Sequence, residues 1–98
     1  MYVVVQHQIL NPEIAFQRGQ ALIEGVGAPD GTRALQFYPH VDGTAVTCLF
    51  EAPSVEVVER YVEATLGDSS SNAVYQVDES KAFSARALGL AAAPAPAG

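Results

Sequence analysis

The stretch "VEVVERYVEATLG", residues 55–67, most constrains what this chain can become. Val55, Val58, Val62 and Leu66 recur at helical spacing, with Tyr61 beside them. Glu56, Glu59, Arg60 and Glu63 take the opposite face, and Glu56 to Arg60 is a favourable i,i+4 pair. Pro53 and Ser54 read as the helix start, and Gly67 stands where a left-handed C-terminal residue is wanted. A helix with one apolar stripe must bury it against something. The preceding "TAVTCLFE" (44–51) is strand-like, so a sheet is the expected partner.

The rest of the chain supplies that sheet. "YVVVQHQI" (2–9) is rich in β-branched residues and reads as a strand. Asn11 can cap a following helix, Pro12 suits its first position, and Glu13 favours the positive helix end. Ala15, Gly19, Leu22 and Val26 form one stripe, with Phe16 and Ile23 beside it, so the helix is expected to reach about Val26. "GAPDG" (27–31) should break it. "TRALQFYPH" (32–40) is a second strand that Pro39 ends or places at an edge. "VDG" (41–43) is a tight turn, which makes the third strand antiparallel to the second. "DSSSN" (68–72) reads as a loop and "AVYQVDE" (73–79) as the fourth strand.

The order is βαββαβ, the α+β ferredoxin-like split arrangement. Both helices should cover one face of a four-stranded antiparallel sheet and leave the other bare. Residues 1–79 are expected to form this protomer. Residues 80–90 are expected to add a short C-terminal helix, and 91–98, "AAAPAPAG", to form a disordered Pro/Ala tail.

Composition narrows the partners. Apolar residues make up 49% and charged residues 16%, against a usual ~25% charged. So little charge on a chain of 98 residues favours covering part of its surface, and a homodimer through the bare sheet face is expected. The net charge is −6, with the five basic residues scattered singly, which argues against nucleic acid and anionic membrane surfaces. No apolar run approaches the ~20 residues a spanning helix needs, the opening residues do not read as a leader, and a cytoplasmic protein is expected. The single cysteine, Cys48, has no basic neighbour in sequence and reads as buried.

"CLFEAP", the amphipathic helix, its glycine and "VYQVD" resemble small bacterial proteins of the dimeric α/β-barrel superfamily, most of all an uncharacterised family that includes nickel-binding members. The resemblance is good over residues 48–77 and loose over the first strand. It implies a dimer whose two bare sheet faces enclose a barrel-like cavity. Histidines expected in the second helix of that group are replaced here by Val62 and Leu66, which leaves His7 as the surviving match and argues against a metal site. Related barrels include haem-degrading enzymes, but this chain has no Trp and no helical histidine for that chemistry.

The candidate ligand-binding residues are His7, Gln36, Tyr38 and His40; no catalytic or metal-ligating set and no cofactor is expected. Gln36, Tyr38 and His40 alternate along the second strand, while Leu35 and Phe37 read as core. His7 is open to two placements. Alternation puts it with Val3 and Val5 under the helices, whereas the resemblance puts it in the barrel; in the first case Gln6 and Gln8 line the cavity instead. Three functions follow. One is a cofactor-free module holding a small apolar or aromatic ligand. Another is a cofactor-independent monooxygenase or isomerase using His7 or His40 as base. The third is a nickel-binding protein.

Overall fold

The computed structural model describes residues 1–83, in the order β1 (Tyr2–Ile9), α1 (Pro12–Glu24), β2 (Arg33–Pro39), β3 (Ala45–Glu51), α2 (Val55–Leu66), a 3-10 turn (Gly67–Ser69) and β4 (Ser70–Gln76). The four strands form one antiparallel sheet in the order β2-β3-β1-β4. The fold is therefore the expected α+β, ferredoxin-like one, with β1 and β3 central.

One face of the sheet meets the helices. Val3 and Val5 of β1 and Val46, Cys48 and Phe50 of β3 are buried there with Val58, Tyr61, Val62 and Leu66 of α2 and Leu22 of α1. Burial on α2 follows the stripe legible in the sequence. Ser54 is its N-cap, accepting the N–H of Val57 at 3.2 Å, so the helix proper begins at Val55 rather than at Pro53. Arg18 of α1 donates to the carbonyl of Leu66 at 2.9 Å, satisfying one of the free carbonyls at the end of α2 and joining the two helices. Gly67 does take a positive φ, 57°, but with ψ −135° it leaves the helix outside the left-handed helical region.

Three local expectations need correction. α1 stops at Glu24, not near Val26, because Gly25 adopts the left-handed conformation and Val26 N–H returns to the carbonyl of Ala21, closing a Schellman motif. Val26 is consequently exposed. β4 begins at Ser70 and ends at Gln76, so most of "DSSSN" is a turn and a strand rather than a loop. The reason is register: Ile9 faces Ser70 across the ladder, and the Ser69 carbonyl accepts the N–H groups of both Leu10 and Asn11. Finally, β2 carries a bulge between Ala34 and Gln36. The extra residue is Leu35, so Ala34 and Phe37 pack on the core and Leu35 does not join it.

After β4 the chain turns at 79–81. The carbonyl of Asp78 accepts the N–H of Ala82 and its side chain accepts that of Ser80, which closes the turn. The remainder of the expected helix over 80–90 and the tail over 91–98 lie outside the described residues.

Val58 and Val62 are fully buried on α2, whereas Glu59 is exposed. Val58→Ala or Val62→Ala is expected to cost about 1–3 kcal/mol of unfolding free energy, since each removes two buried methyl groups and leaves a small cavity. Glu59→Ala should be nearly neutral. Chemical denaturation at one fixed protein concentration checks this ranking; equal losses at positions 58 and 59 would mean that the buried face is wrongly assigned.

Candidate functional site

The helices leave the second face of the sheet open, and pairing places its side chains in rows. Gln36, Leu49, Val4 and Tyr75 oppose one another in succession across β2, β3, β1 and β4. The next row is Tyr38, Thr47, Gln6 and Ala73. On the other side Arg33 and Glu51 form an ion pair at 3.0 Å, with Tyr2 paired to Glu51 across the ladder. The first row carries two aliphatic side chains and a tyrosine that is 50% exposed, on a surface that no element of the described chain covers.

Over this row lies an open concavity of about 730 Å³. Its floor includes Val4, Gln36 and Leu49, its walls include Tyr2, Tyr38 and Tyr75, and the segment from Val77 to Phe83 closes one side. Gln36 and Tyr38, two of the four candidate residues, both border this hollow. Val4, Leu49 and Tyr75 also belong to it and were not singled out. Val4, Leu49 and Tyr75 follow from extending the alternation of β1, β3 and β4, whereas the alignment of Gln36 with them needs the β2–β3 register, which the bulge shifts.

The structure does not bring the two histidines there. His7 is 4% exposed and lies with Val3 and Val5 on the helix-covered face, as alternation alone would have it. Its Nδ1 is 2.7 Å from Oδ1 of Asn72. Asn72 in turn accepts from the Ser70 hydroxyl at 2.8 Å and donates to the Glu63 carboxylate at 3.0 Å. This chain satisfies a polar group that would otherwise be costly to bury. Burial holds the His7 pKa below its ordinary value, and the Asn72 hydrogen bond and the Glu63 charge oppose that only in part. A smaller depression of about 280 Å³, bordered by Gln6, Gln8, Ala45 and Ser71, reaches His7 from the other end of the sheet.

His40 follows β2 in the exposed turn, with Nδ1 2.7 Å from Asp42. The Thr44 hydroxyl and N–H both donate to Asp42 and hold its carboxyl below the usual range. Gly43 completes this turn at φ 75°, where a side chain would be strained. His40 is outside the concavity.

The residues present do not fit a nickel ion. Val62 and Leu66 are part of the apolar core, and among the described residues no group of three or more His, Cys, Asp or Glu could hold a metal. Cys48 faces the same core, and burial raises its thiol pKa to about 12, so it is a packing residue and not a nucleophile.

The fold and the face together define a ferredoxin-like domain with one covered and one open sheet surface. Among solved structures, that of Rv0793 from Mycobacterium tuberculosis is similar, with a TM-score of 0.50, 16% sequence identity, and coverage of 78% of this chain and 93% of that one. At this identity the likeness is one of fold. Neither a protein-family model nor a curated protein sequence matches the chain. Among the described residues no helix is long and apolar enough to cross a membrane.

The buried His7 has a consequence for stability. Above its ordinary pKa of 6.5 the ring is neutral in both folded and unfolded states, and the full stability is present. As the pH falls below that value the unfolded chain takes up a proton that the folded one refuses, so stability declines, by at most about 1.4 kcal/mol per pH unit, until the lowered folded pKa is reached. Denaturant titrations between pH 7.5 and 5 should show this decline in the parent protein and a flatter profile in His7→Gln. Parallel profiles would assign the pH dependence to other groups.

Proposed function

We propose that two copies of this chain associate through the open sheet face and hold a small apolar or aromatic molecule between them, without a cofactor. The observation that carries this reading is the uncovered row Gln36–Leu49–Val4–Tyr75, which crosses all four strands. Aliphatic side chains in the middle of an open sheet are unfavourable in water, and a second sheet is the partner that buries them with least distortion. The concavity over that row has the size of a small-molecule site, with apolar floor residues and a few groups, the Gln36 amide and the tyrosine hydroxyls, able to orient a ligand. Dimerisation would turn this open hollow into an enclosed one.

A monooxygenase or isomerase would require a base at the ligand. His7 lies under the helices and His40 on an exposed turn, so neither supports that chemistry as the chain stands. Binding is the reading that the geometry favours.

Sedimentation velocity at micromolar concentration is expected to show a dimer, and Leu49→Asp a monomer with an unchanged far-ultraviolet circular dichroism spectrum. The neutral aromatic probe N-phenyl-1-naphthylamine should bind the parent protein saturably with a rise in fluorescence, and Leu49→Asp should lose that signal. A parent protein that stays monomeric at these concentrations would overturn the assembly, and a parent that gives no saturable signal would overturn the ligand site.

A further inference from the structure

We propose that the molecule held over the open face is a hydrophobic organic cation, an ammonium group on an apolar or aromatic body. This rests on the reading of the concavity as a ligand site and names the chemistry that the site selects. The chain has four tyrosines and four phenylalanines, and Tyr2, Tyr38, Tyr75 and Phe83 all border this one hollow. Of the four tyrosines, the remaining one, Tyr61, is committed to the core, with its hydroxyl donating to the carbonyl of Val26 at 3.1 Å. Half of the aromatic side chains are therefore gathered where the fold needs none of them for its core. Aromatic faces carry negative electrostatic potential and attract cations, most effectively where water is excluded.

The charged groups at the hollow have the same sign preference. Asp78 and Glu79 border it, against one ammonium, that of Lys81. Lys81 Nζ is 3.8 Å from Asp78 Oδ2, so the lysine is already matched, and Glu79 makes no ion pair among the described residues. The other described basic side chains are engaged or placed elsewhere. Arg33 pairs with Glu51, Arg18 joins α1 to the end of α2, and Arg60 lies on the outer side of α2. A carboxylate or phosphate ligand would meet two carboxylates, one of them unpaired among the described residues, and a single ammonium that Asp78 already faces. An ammonium would meet a carboxylate and the tyrosine faces. The net charge of −6 adds a long-range bias in the same direction.

Three naphthalene compounds that differ in one substituent test this. They are 2-(aminomethyl)naphthalene, which is charged at neutral pH, 2-naphthalenemethanol, which is neutral, and 2-naphthoate, which is anionic. Calorimetry at low ionic strength should rank the amine tightest, about tenfold above the alcohol, and the carboxylate weakest, with added salt compressing the order. Glu79→Gln should weaken the amine several-fold and leave the alcohol unchanged. Tyr75→Leu should also weaken the amine more than the alcohol. If the alcohol binds and the amine is no tighter, the cation preference is overturned while the ligand site stands. If none of the three binds, the ligand site itself falls, and this inference with it.

Discussion

Strand β1 sets the molecule's two sides, because it pairs along its length with β3 on one flank and β4 on the other. Side chains alternate across a strand, so these two registers decide at once that Val3, Val5 and His7 meet the helices and that Tyr2, Val4, Gln6 and Gln8 meet the open side. A slip of one residue would exchange the two sets. It would expose two valines that are now fully buried, each worth about 1.5–3 kcal/mol by transfer from water, and push two glutamines into the core. The same slip would carry His7 away from Asn72. Core packing, the one buried histidine and the composition of the open face are thus consequences of a single alignment.

The covered face tolerates His7 because β4 supplies what it lacks. Ser70, Asn72 and Glu63 form a relay of hydrogen bonds from the core edge to the surface of α2. The arrangement exists only because β4 starts three residues earlier than its apolar content suggests. Ser69 in the 3-10 turn and Ser70 at the strand start offer little apolar surface, yet both are buried, and the Ser69 carbonyl accepts two N–H groups from the chain that enters α1. Ladder pairing and polar satisfaction outweigh local preference there. The open face shows the opposite balance. Its aliphatic and aromatic residues Val4, Leu49 and Tyr75 belong to no buried cluster, which leaves one side of each open.

Legibility varied with the range of the physics involved. The bounds of β1, the stripe of α2, the hairpin at Asp42-Gly43 and the edge position of Pro39 are matters of a few adjacent residues, and all were legible. The end of α1 was misplaced by two residues because Val26 continues the apolar stripe and Gly25 overrides it through a backbone conformation. Strict alternation puts Leu35 in the core, and the bulge that removes it has no reliable local signature. Gln36 and Tyr38 fall on the open face as alternation has it, since both lie beyond the bulge. The bond between His7 and Asn72 joins residues 65 apart in sequence and could not be read at all.

The amino-acid sequence by itself determined the succession of strands and helices, and with it the split βαββαβ order, because periodicity and capping act over a few residues. It also determined that α2 is structural, through Val58, Val62 and Leu66. Only the tertiary structure decided which face of β1 the helices take, and so that His7 is a core residue whereas Tyr2, Val4, Gln36, Leu49, Tyr38 and Tyr75 share one surface. That decision belongs to strand register, a relation between segments far apart in the chain, and no window of local sequence contains it.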